Sequence, residues 1–214
     1  MPADPEFLFD GPADAPTTIA LAHGAGAGMD SQFMCYFAEG LGKRGYRVVR
    51  FEFPYMASKR CSGTPRPPDR EPVLRETWLQ VVNVLGHERL VIGGKSLGGR
   101  IASLVADEAG VAGLVCLGYP FHPTGKPDRL RVEHLGTIKT PTLIVQGERD
   151  PFGARDEVAR YRLSKAVKVA WMMDGDHSFK PRKSSGRTEQ QNWEAALAEV
   201  AAFLKALQSQ HRRP

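Results

Sequence analysis

The chain has 214 residues, 42% hydrophobic and 25% charged, with a formal net charge of +5 and a sequence pI near 9.2. No apolar run is long enough to span a bilayer, and the acidic, proline-rich start Met1-Pro2-Ala3-Asp4-Pro5-Glu6 is unlike a secretory leader. Basic residues are scattered (Lys59-Arg60, Arg66, Arg70, Lys180 to Arg187, His211 to Arg213) and form no stripe interleaved with aromatics, so neither a membrane nor a nucleic acid is an expected partner.

The expectation is one domain over residues 1–214, cytoplasmic, with flexible ends at 1–5 and 209–214. Cys35, Cys61 and Cys116 have no metal or redox spacing and read as reduced thiols, Cys116 as a core residue. Oligomeric state is not legible.

In chain order, Thr17 to Ala22 reads as a strand ending in the loop His23-Gly24-Ala25-Gly26-Ala27-Gly28. Phe33, Phe37 and Leu41 then fall at helical spacing, and Gly45 closes that helix. Arg47 to Phe53 is a strand stopped by Pro54, and Tyr55 to Arg70 reads as a loop rich in Pro, Arg and Ser. Leu74, Trp78, Val81, Val82 and Leu85 share one helix face. Leu90 to Gly94 is a strand, followed by a helix marked by Leu97, Ile101, Leu104 and Val105. Gly113 to Gly118 is a further strand, with a loop at 119–137 that has room for a short helix over a site. Thr142 to Gln146 is an apolar strand, Ala154 to Ser164 a short helix, and Val167 to Met173 the last strand. A third aperiodic segment covers 178–188, before a long helix carrying Trp193, Leu197, Val200, Leu204 and Leu207. Strand–helix alternation with uniformly apolar strands implies a mainly parallel central sheet with helices on both faces.

Residues 93–99, Gly-Gly-Lys-Ser-Leu-Gly-Gly, hold Gly94-x-Ser96-x-Gly98 between a strand and a helix. Alone this motif is weak, because short Gly/Ser patterns also make plain turns. In strand–turn–helix context it describes a serine on a sharp, strained turn, with small neighbours and a helix N-terminus aimed at it.

In a parallel sheet, ligands bind beyond the carboxyl ends of the strands. Ser96, Asp150 and His177 each follow a strand, in the chain order of a Ser-Asp-His hydrolase triad. Ser96 would be the nucleophile, His177 its general base and acid, and Asp150 the group that holds the imidazole. The oxyanion would take the Leu97 N–H and the Ala25 N–H, with Gly26 the next candidate. Each assignment has a bland counterpart: Asp150 as a turn residue before Pro151, His177 as an exposed loop histidine, and Asp174 or Asp176 as the acid instead. His23 reads as structural, beneath the glycine loop. Tyr119, Phe121, His122 and Tyr55 are candidates to line the substrate pocket, or equally to anchor loops. Lys95 and Arg100 flank the nucleophile; Lys95 could favour an anionic substrate or make a surface salt bridge.

Two nucleotide motifs fail. Gly94-Lys95-Ser96 ends like a P-loop, but Arg89 stands where its first glycine belongs, and Met29 stands where a dinucleotide fingerprint needs its third glycine. No cofactor and no metal are expected.

The strings His23 to Gly28, Gly93 to Arg100, Gln146 to Gly153 and Asp174 to Lys180 resemble the α/β-hydrolase superfamily over about residues 6–205. Within it they are similar to the group containing testis-expressed protein 30 and the third subunit of the NSL chromatin complex, and to dienelactone-hydrolase-like proteins. The resemblance implies an α/β-hydrolase fold without a large cap, the triad and a small serine-hydrolase core, but no substrate; the intact set of residues favours an esterase-type serine hydrolase acting on a small acyl substrate. The resemblance also leaves an alternative, a non-catalytic interaction protein that keeps the fold. Ester, thioester, lactone and amide are not distinguished.

Overall fold

Six apolar segments lie side by side as parallel strands, and a seventh pairs antiparallel at one edge. The computed structural model describes residues 5–211. Its strands are β1 (Phe7–Asp10), β2 (Thr18–Ala22), β3 (Arg47–Phe51), β4 (Leu90–Lys95), β5 (Gly113–Leu117), β6 (Thr142–Gly147) and β7 (Val167–Met172). They are ordered β1-β3-β2-β4-β5-β6-β7, with β1 antiparallel to β3 and every other pair parallel. The helices are α1 (Gln32–Gly42), α2 (Pro54–Ser62), α3 (Glu71–Leu85), α4 (Leu97–Ala109), α5 (Arg155–Val158) and α6 (Glu189–His211).

Alternate strand residues face opposite ways, and each face has its own core. Ala20, Ala22, Val49, Phe51, Ile92, Leu114, Cys116 and Ile144 pack with α3 and α4 through Leu74, Trp78, Val81, Ile101 and Val105. Ile19, Leu21, Val48, Val91, Val115, Leu117, Leu143 and Val145 pack with α1 and α6 through Met34, Phe37, Leu41, Trp193, Leu197 and Leu204. Both faces of the central strands are covered, which is why these strands are apolar throughout. The β5–β6 connection carries only a three-residue 3-10 turn, His134–Gly136, so no cap stands over the sheet there.

Three expectations need correction. β1 has no counterpart in the sequence reading. The segment read as a loop from Tyr55 starts as helix α2, with Pro54 at its first position, where its fixed φ and missing N–H suit a helix. The helix expected over 154–164 is only α5, four residues long. The helix α6 runs on to His211, into the stretch 209–214 expected to be flexible. Residues 1–4 and 212–214, which hold most of the acidic start and the basic end, lie outside the described residues. Among the described residues no helix is long and apolar enough to cross a membrane.

The strand order reverses at β2: the chain passes to β3 on one side and later to β4 on the other. The loops after β2 and β4 therefore meet at the carboxyl edge, where a doubly wound sheet opens a crevice.

Candidate active site

β4 enters a turn on which Ser96 takes φ 50° and ψ −110°, a left-handed conformation that a side chain rarely adopts. Its neighbours must then be small. Gly94 has φ +148°, and a Cβ there would lie 2.0 Å from the Ala22 carbonyl oxygen. At Gly98 a Cβ would lie 2.4 Å from the same oxygen. The two glycines let β4 and α4 close against β2 while the serine is held above the sheet edge.

Around Ser96 the hydrogen bonds form one line. The Ser96 Oγ is 2.8 Å from His177 Nε2, and His177 Nδ1 is 2.8 Å from Asp150 Oδ2. Asp150 is fully buried at the end of β6. Its Oδ2 also accepts from Gln146 Nε2 at 2.9 Å, and its Oδ1 accepts the Phe152 N–H at 2.9 Å. With the carboxylate accepting at Nδ1, the imidazole keeps its proton there and presents Nε2 as the acceptor for the serine hydroxyl.

Burial pushes the His177 imidazole below its ordinary value of 6.5; Asp150 opposes that shift and the charge of Lys95 adds to it. The imidazole is thus neutral, and able to take a proton, at pH 7.

The competing acids are occupied elsewhere. Asp174 pairs with Arg182 at 2.5 Å and Arg149 at 2.8 Å, and the Arg182 guanidinium holds its carboxyl down at about 2. Asp176 accepts the N–H groups of Ser178 and Lys180, tying the loop that carries His177.

Ala25 and Leu97 line the cleft beside Ser96, whereas Gly26 is not among its lining residues. The Leu97 N–H is the first of α4 and has no acceptor within that helix. Beneath the glycine loop, His23 Nε2 accepts the Phe53 N–H at 3.1 Å, so Nδ1–H donates to the Gly24 carbonyl at 2.7 Å. Burial keeps this imidazole neutral. Tyr55 Oη donates to the Ala25 carbonyl at 3.1 Å.

The cleft itself is an open space of about 330 Å³, lined by Ala25, Ser96, Leu97, Leu74, Ile101, Pro120 and Phe152, with Pro68, Asp69, Glu71, Arg100 and Arg131. None of the four residues proposed to line a substrate pocket is there. Tyr55 is buried against the glycine loop. Tyr119 is fully buried and donates to the Arg131 carbonyl at 2.9 Å. Phe121 packs between Tyr119 and Tyr161. His122 is buried, with Nδ1 on the Pro123 carbonyl and Nε2 3.6 Å from Glu157. They read as pocket residues because they follow a strand; their rings turn inward because the loop must cover the end of the α3/α4 core.

Lys95 makes no surface salt bridge. Its side chain is buried, Nζ donates to the His177 carbonyl, and the ammonium sits 5.1 Å from the Phe33 ring centre and 5.7 Å from that of Phe179. Burial brings its pKa down to about 8.

Three further contributors had weaker signals. Gln146 is a polar residue at the buried end of an apolar strand, four before the acid. Besides Asp150 it donates to the Tyr119 and Gly153 carbonyls and accepts the Tyr119 N–H, joining the ends of β5 and β6. The Phe152 ring lies 4.4 Å from the His177 ring. Asn192, fully buried on α6, donates to the Met173 and Phe179 carbonyls on either side of the His177 segment.

Solved structures share this architecture. A dienelactone hydrolase from Anabaena variabilis is 20% identical with a TM-score of 0.72, over 95% of this chain and 99% of that one. An alpha-beta serine hydrolase homologue from Coxiella burnetii is 20% identical with a TM-score of 0.68, over 94% and 89%. At that identity the likeness is one of fold. A curated protein of Rattus norvegicus, named "Putative protein-lysine deacylase ABHD14B", is 33% identical over 116 residues, 53% of this chain, and the match spans about half of that relative's length. The model of the alpha/beta hydrolase domain family matches residues 15–205, and the chain belongs to that family.

Proposed function

We propose that the protein is an esterase-type serine hydrolase in which Ser96, His177 and Asp150 act as a catalytic triad on a small acyl ester. The observation that carries this reading is the continuous hydrogen-bonded line Ser96–His177–Asp150, starting from a serine in strained backbone. Family membership supports a hydrolase, and the string Gly93 to Arg100 with the segment Asp176 to Phe179 supports the closer kinship with the testis-expressed protein 30 and NSL subunit 3 group.

The steps follow from the geometry. Ser96 Oγ attacks the acyl carbon as its proton passes to His177 Nε2. Asp150 stabilises the imidazolium without taking the proton. The Leu97 and Ala25 N–H groups would receive the oxyanion. His177 then protonates the leaving oxygen, the acyl carbon–oxygen bond breaks, and an alcohol departs from an acyl-Ser96. Water attacks next, giving its proton to His177. Collapse returns that proton to Ser96 and releases the acid.

The test is a series of p-nitrophenyl esters of increasing acyl length, with an acetyl-lysine peptide for the amide class named by the rat relative. Ester turnover that disappears in Ser96→Ala is the expected result. Ester turnover that persists in Ser96→Ala would show a different nucleophile. A folded protein inert towards every substrate would favour the non-catalytic interaction role.

A further inference from the structure

The cleft beside Ser96 holds two guanidinium groups, and they are held differently. Arg100, one turn along α4 from the serine, pairs with Glu71 Oε2 at 2.8 Å. Arg131 reaches the same cleft from the β5–β6 connection and makes no ion pair with a carboxylate among the described residues. Asp69, on the same rim, accepts the Tyr55 N–H at 2.8 Å instead. Burial, with the neighbouring Arg100, depresses the Arg131 pKa by more than Tyr119 and Glu71 raise it, so bringing this cation here costs free energy. A half-buried, unpaired guanidinium in a catalytic cleft is the arrangement that recognises an anion.

Which part of the substrate would carry that anion follows from the two faces of the sheet. The segment after His177 packs, through Phe179, into the α1/α6 core. Leu74, Ile101 and Val132 belong to, or pack against, the α3/α4 core, and Arg100 and Arg131 stand with them. The leaving group must depart on the His177 side, because His177 protonates it. The acyl chain then lies towards Leu74 and Ile101, in the cleft that Arg131 also lines.

Resting on the hydrolase reading above, we propose that the substrate's acyl chain ends in an anionic group, a carboxylate or phosphate, received by Arg131 with Arg100 beside it. Leu74 and Ile101 cover the methylenes between the ester and the anion. A cleft of about 330 Å³ suits a chain of short to medium length. The loop that brings Pro68 and Asp69 to the cleft also carries Arg66 and Arg70, which adds positive potential for steering.

The test compares three p-nitrophenyl esters of matched length: mono-p-nitrophenyl adipate, p-nitrophenyl hexanoate, and an ester whose acyl chain ends in trimethylammonium. The wild-type kcat/KM should favour the adipate over the hexanoate by roughly 10-fold to 100-fold, the range of a charge-assisted hydrogen bond, with the cationic ester last. Raising NaCl should shrink the preference. In Arg131→Gln the adipate-to-hexanoate ratio should fall towards one, and Arg131→Lys should restore part of it. Arg75→Gln, which removes an exposed cation paired with Glu108 away from the cleft, should leave the ratio as in wild type. A wild-type ratio near one overturns the proposal even if Arg131→Gln does not fold. A preference that survives Arg131→Gln overturns it too. Hexanoate turnover without anion preference refutes this inference alone, whereas absence of turnover on every ester refutes the hydrolase reading beneath it.

Discussion

Lys95 shows how one residue can serve the site without touching a substrate. Its ammonium holds the His177 carbonyl and adds positive charge near the imidazole. Since kcat/KM needs the neutral base, and His177 is held below its ordinary 6.5, the rate should be flat near neutral pH and fall only in more acid solution. In Lys95→Met the positive charge is gone, so the His177 pKa rises and the acid limb moves to higher pH; an unmoved limb would remove Lys95 from this role. Asp150→Asn should lower kcat by about 10³- to 10⁴-fold, because the amide no longer fixes the productive tautomer. Of these contacts the sequence shows only the residue types. That Ser96, Asp150 and His177 come together was legible because each follows a strand in a known order. Lys95, Gln146, Phe152 and Arg131 were not, because their partners are set by how distant segments pack.

The elbow depends on the two elements flanking it. Trp78 of α3 is fully buried, stands edge-on to Phe51 at 4.7 Å, and donates its indole N–H to the Gly98 carbonyl at 3.3 Å. Trp78→Ala should cost about 3–5 kcal/mol in urea unfolding, and Trp78→Phe less, about 1–3 kcal/mol. Gly98→Ala drives a methyl group into the Ala22 backbone, so the turn must open, and activity should fall more than stability does. The parallel strands and main helices were readable because their apolar periods run over many residues. β1 was not, being four residues beside prolines, and its place is fixed by pairing with β3 rather than by its own pattern. α2 was missed because Pro54 was read as ending a strand when it also begins a helix.

Across the whole molecule, buried and half-buried histidines link stability to pH. Burial, together with Arg100, brings His134 from 6.5 down to about 4, and its Nε2 is bonded to Ser103 Oγ at 2.8 Å. The unfolded chain therefore takes up this proton first, and the contribution present above pH 6.5 is lost as the pH falls towards 4. His23 and His177 shift in the same direction. The melting temperature should drop between pH 6.5 and 4, and His134→Gln should flatten the drop; an unchanged profile would assign it to other groups. The strand order that opens the crevice between β2 and β4 brings the glycine loop and the elbow together, and the final loop, clamped by Asn192, brings His177 to them. In the proposed mechanism this convergence activates Ser96. Reaction with a fluorophosphonate probe, followed by peptide mapping, tests it most directly. One adduct is expected, on Ser96, lost in Ser96→Ala and slowed by on the order of 10³-fold or more in His177→Ala. A folded protein that takes no label, or a label that survives Ser96→Ala, would contradict it.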